Sequence, residues 1–571
     1  MTRLHDDLRL KLNFATIVDN LVRVEKFSSI AGCGAVRISH LLPATSSNGM
    51  VATGHPLATQ AGVKVLAAGG KAVDAVLSAA AVTWVTMPMM CGPGGDAYAI
   101  VYESGDRRLT GMGAGGKAPA AATRNFFLER GQRLMPLSGP HSVGVPGAMA
   151  VIEEAHRRFG TMSLEELWRP AIRLAEDGFP VTRNVAAWFA ESASRIQGDP
   201  ESSSIYLRSG VPPAEGAILV QGDLARTLRR LSVGGAAEFY GGSIGEQLIS
   251  CLEPLGGLMT ADDLKSPGLD VYTPLHSGYR GFDIHQTAPP SQGLIHLETM
   301  NILQGVDVAA LPPQGDELIH LGVEANKLAV ADRLRHVGDP LFVDYDVNLL
   351  LSEEHARRRQ ALIAYSAQAL PTGSPAGSDT TYLCAVDRDG NAVSFIHSLS
   401  LRFGAGITVP GTGVVLNNRV GRGFTLDAGH PNCLAPGKRT MSTLNCYVVT
   451  RGGLLHAVGG TPGGDSQVQW NSQILSSLID QQLDPARAVD KVRWTHSPST
   501  DPATLDEPET LTIEARISQE TLAGLQRRGH RVRVVGPYAA GGDVQLIVVD
   551  RERGVLVGAS DPRGDGIPIG L

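Results

Sequence analysis

Thr380 and Thr381 open a strand-like run, Thr380-Thr-Tyr-Leu-Cys-Ala-Val-Asp387, directly after a segment rich in Pro, Gly and Ser from Pro371 to Gly377. A chain cut between Asp379 and Thr380 would expose an N-terminal threonine. Such a residue holds a nucleophile and a base together: its hydroxyl attacks, and its α-amine, with a reference pKa of about 7.7–8.0, takes the proton near neutral pH. By itself a Thr pair after Asp is what β-propensity following a turn produces. Three further sets of residues give it weight. Ser398 lies eighteen residues on, at the end of the next strand-like run; a hairpin would set it beside Thr380. Gly460-Thr-Pro-Gly-Gly-Asp465 stands between a strand pattern and a helix pattern, where the N–H groups of Gly463 and Gly464 would face a developing oxyanion. Lys438-Arg-Thr-Met-Ser-Thr443, with Arg419 and Arg422 upstream, combines hydroxyl and guanidinium groups suited to a carboxylate. A polar strand end, a helix-entry turn and a solvated basic loop are the plain structural readings of the three.

These residues need a scaffold that brings distant segments together. Apolar residues at three-to-four spacing predict helices over 58–66, 72–84, 148–159, 163–177, 223–234, 294–303, 320–336 and 467–480. Ser163 with Glu166 forms a capping-box pattern. Strand patterns cover 97–102, 382–386, 392–398, 414–416, 446–450 and 454–458, with Asp387-Arg-Asp-Gly-Asn391 as a hairpin turn. Helices and antiparallel hairpins are interleaved without regular strand-helix-strand alternation. That predicts an α+β fold and argues against a doubly wound parallel sheet. The loop Cys91-Gly-Pro-Gly-Gly-Asp96 lacks the Lys-Ser/Thr ending of a phosphate cradle and reads as a tight turn.

Composition narrows the function classes. The 571 residues are 43% hydrophobic and 19% charged with a formal net charge of −7 and no long block of one sign, so nothing points to nucleic acid. The six cysteines form no CxxC pair and no zinc-spaced cluster, which predicts no metal. The N-terminus lacks a secretory h-region, and the apolar stretch from Ala75 to Met90 is too short to span a bilayer. The expectation is a cytoplasmic protein with no membrane partner. Residues 1–45 show no period and read as an N-terminal extension.

From Gly49 to the C-terminus the chain resembles the γ-glutamyltranspeptidase family of N-terminal-nucleophile hydrolases. The resemblance rests on Thr53-Gly-His-Pro-Leu-Ala-Thr-Gln-Ala-Gly62, Gly69-Gly-Lys-Ala-Val-Asp-Ala75, Val143-Gly-Val-Pro-Gly147, Pro170-Ala-Ile-Arg-Leu-Ala-Glu-Asp-Gly-Phe-Pro180, Asp379-Thr-Thr381, Phe403-Gly-Ala-Gly406, Leu416-Asn-Asn418, Ala435-Pro-Gly-Lys-Arg439 and Thr461-Pro-Gly-Gly464, in that order. It implies a four-layer αββα sandwich, made as one precursor that cleaves itself before Thr380. The products would be a large subunit (46–379 after the extension) and a small subunit (380–571) that share one domain, with processed heterodimers free to associate as homo-oligomers. It makes Thr380 the nucleophile, Ser398 its helper hydroxyl, Gly463 and Gly464 the oxyanion pair, and Ser442 and Thr443 the holders of a substrate carboxylate. No cofactor is implied.

The departures from the family pattern are specific. The segment Gly111-Met-Gly-Ala-Gly-Gly-Lys-Ala-Pro119 lacks the family's carboxylate-clamping arginine and offers only Lys117. Asn417-Asn418 is followed by Arg419 and Arg422 rather than by the acid that meets a substrate ammonium, and Ser400 stands where the family has an asparagine. A buried ammonium facing arginine would be destabilised. The expected reaction is cleavage of a small carboxylate-bearing amide without a free ammonium, with Arg419, Arg422 and Ser400 among the binding residues and acyl transfer to an amine as a second outcome. Two alternatives stay open: a genuine glutathione hydrolase, and an uncleaved, inactive relative that binds a small carboxylate.

Overall fold

A computed structural model of the chain describes residues 42–369, 379–498 and 508–571. The segment Pro371 to Gly377 and all but the last few residues of the expected extension lie outside it.

Fourteen strands build two seven-stranded antiparallel sheets. In chain order they are β1 (Ala44–Ser46), β2 (Gly49–Thr53), β3 (Asp96–Glu103), β4 (Arg108–Ala114), β5 (Asp270–Tyr272), β6 (Leu275–Tyr279), β7 (Phe282–Gln286), β8 (Asp379–Asp387), β9 (Ala392–Ser400), β10 (Tyr447–Arg451), β11 (Leu454–Gly460), β12 (Gln545–Asp550), β13 (Val555–Ser560) and β14 (Ile567–Gly570). The first sheet runs β14-β2-β8-β9-β3-β4-β5, the second β1-β13-β12-β11-β10-β7-β6. Each sheet therefore mixes strands from before and after residue 380. The αββα sandwich implied by the resemblance is the observed architecture, with β1 already part of a sheet at residue 44.

Alternation along β8 explains the layers. Tyr382, Cys384 and Val386 join Tyr98, Ile396, Cys446, Val448 and Val458 in the apolar layer between the sheets. Leu383 and Ala385 point the other way, into the layer under the helices α1 (Pro56–Ala67) and α2 (Ala72–Thr86). A strand buried on both faces reads as a continuous apolar run, which is how Tyr382 to Val386 reads. The same logic makes every residue of α2 buried, because it lies between the first sheet and the helix Leu164–Asp177, itself started by the expected Ser163–Glu166 capping box. On the outer face of the second sheet, α3 (Gly293–Gln304), α4 (Asp316–His336) and α5 (Gln467–Ile479) cover Ile284, Val449 and Ala457.

The helices fall within a few residues of their predicted ranges. The helix predicted over 223–234 runs on to Tyr240 across a kink at Gly235, whose φ of +58° a glycine tolerates. The strand predicted over 414–416 is only Val414–Val415, paired with Thr408–Val409 in a ribbon of its own. No helix among the described residues is long and apolar enough to cross a membrane.

Candidate active site

Thr380 stands where β8 and β9 slip register. Asp379 pairs with Ser400 and Thr381 with His397, so β9 carries one residue more than β8 across the interval. Ser400 accommodates it with φ +84°, a left-handed conformation unusual for serine. In this arrangement Thr380 Oγ1 donates to Ser398 Oγ at 3.2 Å, and Ser398 Oγ accepts the Ser400 N–H at 2.8 Å. The hairpin thus brings together the two hydroxyls singled out in the sequence, and both residues are buried.

His397 beside them is not available as a base. Trp84 Nε1 donates to its Nδ1 at 3.1 Å, and its Nε2 lies 3.1 Å from Thr83 Oγ1, whose own proton goes to the Ala80 carbonyl. The ring is therefore the Nε2–H tautomer with both nitrogens engaged, and burial lowers its pKa to about 3. With His397 committed, the α-amine that cleavage would free is the proton acceptor this corner has to offer.

The glycine loop arrives from the second sheet. β11 ends at Gly460, Thr461-Pro-Gly-Gly464 follows, and a short 3-10 turn (Gly464–Ser466) leads into α5. A Cβ on Gly463, where φ is +143°, would lie 2.2 Å from the Trp470 ring, so that position requires glycine. The Ser466 N–H bonds to the Gly463 carbonyl at 2.9 Å. That pins the shared peptide plane with its carbonyl toward the helix and the Gly464 N–H facing the opposite way. Neither Gly463 nor Gly464 donates its N–H to a protein acceptor among the described residues. Orphan donors at a helix entrance suit an anion.

Thr380, Gly463, Met87, Trp470, Arg402 and Asp543 line one cleft of about 700 Å³. Asp543 is the buried acid of this cleft: Gln545 Nε2 donates to its Oδ1 at 2.8 Å. Burial, with Asp561 and Asp565 nearby, pushes its pKa up to about 8.

Behind this corner lies a closed layer of charge. Arg419 Nε meets Asp96 Oδ2 at 2.8 Å, and its Nη1 lies 3.4 Å from Thr443 Oγ1. Burial raises the Asp96 pKa and Arg419 opposes the rise. Arg419 Nη2 and Ser400 Oγ are buried without a protein partner. Arg422 faces Asp465 at 3.5 Å. Ser442 is buried, its N–H on the Pro290 carbonyl. None of these residues lines the cleft, and neither arginine turns to solvent. Lys117 does not replace the missing clamp: its Nζ reaches the Ser266 carbonyl. Lys438 and Arg439 are not a solvated run either; Lys438 Nζ caps the Pro431 and Cys433 carbonyls and Arg439 pairs with Asp339.

Sequence reasoning missed Asp96, Gln292, Arg333, Trp470 and Asp543, which touch this region only through folding. The one available signal was position: Asp96 follows a Gly-rich turn and Gln292 stands in Ala288-Pro-Pro-Ser-Gln-Gly293. Folding also assembles His320, Glu324 and His530, and Glu298, Asp332 and His355. Lys327 already neutralises Glu324, and Arg359 holds Asp332. No member of either group lines the cleft, and the cations already beside Glu324 and Asp332 disfavour a metal at those two carboxylates.

The comparisons agree with this architecture. Residues 58–571 match the family described as Gamma-glutamyltranspeptidase. The chain is similar to the "Glutathione hydrolase-like YwrD proenzyme" of Bacillus subtilis, at 35% identity over 91% of this chain and 98% of that one. It is similar to the "Oxamate amidohydrolase proenzyme" of Klebsiella pneumoniae, at 33% identity over 92% and 99%. Among solved structures it is similar to cephalosporin acylase from Bacillus halodurans, with a TM-score of 0.86 at 32% identity over 95% and 99% of the two chains. With its αββα sandwich and a family match over nearly its whole length, this chain belongs to the γ-glutamyltranspeptidase family of proenzymes.

Proposed function

We propose that the protein is an autoprocessing amidohydrolase, with acyl transfer as a second outcome, whose nucleophile is Thr380 freed by cleavage of the Asp379–Thr380 bond. The observation that carries the reading is the 3.2 Å contact of Thr380 Oγ1 with Ser398 Oγ in a cleft shared with Gly463. Thr380 Oγ attacks the substrate carbonyl carbon while the Thr380 α-amine takes the hydroxyl proton. The N–H groups of Gly463 and Gly464 hold the tetrahedral oxyanion. The ammonium then protonates the leaving nitrogen, the C–N bond breaks and an ester on Thr380 remains. Water attacks that ester and releases a carboxylic acid; an amine attacking instead gives transfer. The mature enzyme is a large subunit ending at Asp379 and a small subunit of residues 380–571.

The substrate is a small amide bearing a carboxylate and no free ammonium. Arg419 follows Asn417-Asn418, set back from the cleft lining, and has an unpartnered Nη2 beside Thr443; Ser400 Oγ, two residues past Ser398, is also unpartnered, so a substrate group would meet these donors beyond the cleft wall. Those donors suit an anionic or hydrogen-bond-accepting group, and the name of the oxamate amidohydrolase relative fits that class. Ser442, one residue before Thr443, is assigned to the same binding group. Arg422 has a less direct part, because it faces Asp465 of the glycine loop.

Denaturing electrophoresis with N-terminal sequencing tests the first half. Bands near about 40 and 20 kDa, the 60.2 kDa chain divided in proportion to 379 and 192 residues, with Thr-Thr-Tyr opening the smaller, are expected. A single intact band would favour the inactive carboxylate-binding relative. A panel of oxamate-type, N-acyl and γ-glutamyl amides tests the second half. Turnover confined to γ-glutamyl amides would make the protein a glutathione hydrolase instead.

A further inference from the structure

The glycine loop lies in the segment after Thr380, yet the side chain that holds it comes from far upstream. Gln292, just before α3, is fully buried. Its Nε2 donates to the Gly464 carbonyl at 2.8 Å and to the Thr443 carbonyl. Its Oε1 accepts from Arg333 Nη1 of α4 at 2.8 Å. The same Arg333 nitrogen lies 3.6 Å from Asp465 Oδ1, and Gln292 is itself anchored by its backbone N–H on the Ser442 carbonyl at 2.9 Å.

This chain of bonds has one possible direction. A guanidinium only donates, so the atom facing Arg333 must be the amide oxygen, and the NH₂ end must face the two carbonyls. Gly464 is thus pinned through its carbonyl by Gln292, and Gly463 through its carbonyl by the Ser466 N–H. The Ser466 bond fixes the plane that carries the Gly464 N–H, and the Gln292 bond fixes the next plane, Gly464–Asp465, so Gly464 is held on both sides of its Cα and its N–H keeps a fixed aim. Glycines at φ +143° and +49° have no side chain of their own to hold such a conformation.

We propose that Gln292 is a positioning residue for the Gly464 oxyanion donor: its Nε2 fixes the Gly464–Asp465 peptide that follows the donor and so limits how Gly464 can turn, and Arg333 fixes the orientation of Gln292. The large subunit thereby sets the geometry of a catalytic loop that belongs to the small one. The inference rests on the assignment of Thr380 and of the glycine N–H groups above, so its test must separate the two.

The probe is phenylmethanesulfonyl fluoride, which needs no knowledge of the natural substrate. Thr380 Oγ attacks sulfur, the O–S bond forms, fluoride leaves, and the hydroxyl proton passes through the α-amine to solvent. Labelling of the small subunit is followed by intact mass for the wild type, Gln292→Glu and Gln292→Met. The Gln292→Glu change keeps the shape and the Arg333 contact but replaces the donor by an acceptor; Gln292→Met removes both. Both variants are expected to lose on the order of 10²-fold in the limiting labelling rate, the scale of a lost oxyanion donor, while half-saturation by the probe changes less than about threefold. A folded Gln292→Glu protein labelled at the wild-type rate overturns the proposal, and so does a variant in which only half-saturation moves. Where Gln292→Glu yields no folded protein, Arg333→Gln carries the same test, with a smaller loss in limiting rate expected and an unchanged rate overturning it. A processed wild type that takes no label at Thr380 sinks the nucleophile assignment itself, and this inference with it.

Discussion

Two regions meet at Ser400 and differ in how they handle charge. On the cleft side, the proposed reacting groups are hydroxyls and backbone N–H groups: Thr380, Ser398 and the Gly463–Gly464 loop. The histidine beside them is neutral and engaged, and the acid of the cleft, Asp543, holds its proton up to about pH 8. On the other side, Asp96, Arg419, Arg422, Asp465 and Arg333 form a buried layer with its charges facing one another. The family's pattern survives where the chemistry needs neutral donors and a nucleophile. It has changed where a substrate's own charges would be read. On the proposed reading, amide cleavage and charge selection are built from separable parts, and each part can be broken alone.

The largest effect is expected from the cleft side. Thr380→Ala should leave one intact chain and no amidase activity, because the hydroxyl that attacks the Asp379 carbonyl is gone; a gel of the purified variant reads this. Thr380→Ser keeps the hydroxyl and should process more slowly. An Ala variant that still splits before residue 380 would remove the nucleophile from this corner. Gly463→Ala comes next. The added Cβ meets the Trp470 ring at 2.2 Å and must displace the loop, so turnover should fall by about 10²–10³-fold in a chain that still processes. Wild-type turnover would take the loop out of the mechanism.

The charged layer should respond differently. Arg419→Ala strands Asp96, and breaking a buried pair costs about 3–5 kcal/mol, read as a lower denaturation midpoint. The double variant Asp96→Asn with Arg419→Gln should recover most of that stability but not substrate binding, where the loss of a charge-assisted hydrogen bond is worth about 1.5–3 kcal/mol and raises KM by roughly ten- to a hundred-fold. If KM recovers along with stability, Arg419 serves the fold alone, and the two regions differ in architecture but not in function.

The same division marks what was legible in the sequence. Thr380, Ser398 and the glycine pair were readable because the hairpin turn Asp387–Asn391 and the strand-loop-helix pattern around Gly463 are local. The slip between β8 and β9 was not, since it depends on how two strands pair and not on either alone. Asp96 and Arg419 stand 323 residues apart, and nothing around Asp96 announces its partner. Arg422 read as a substrate ligand or a solvated side chain, and it faces Asp465 because the short helix Arg419–Gly423 turns it inward. The two sheets were likewise hidden: each is completed by strands from both ends of the chain, and periodicity reports only that a strand exists, not which neighbour it finds.

Asp543 gives the smallest effect and the finest test of the contrast, because it is an acid on the side whose proposed reacting groups are neutral. Its pKa is about 8 in the folded protein and near 4 when exposed. The folded state therefore binds this proton more tightly than the unfolded state between those two values. By linkage, the contribution to stability is full below about pH 4 and is lost as pH rises through about 8. The groups that face Asp543 are Asp561 and Asp565, which oppose its ionisation, Arg493, which favours it, and Gln545, which donates to it. Asp543→Asn keeps the shape and removes the titration. The variant should gain on the wild type as pH rises from 5 to 9, with a difference in Tm between the two ends on the order of 3 °C for a chain of this size. Parallel Tm profiles for the two proteins across that range would mean that Asp543 is ionised throughout. The cleft would then carry a permanent negative charge beside Thr380, and the line between a neutral reacting side and a charged selecting side would have to be redrawn.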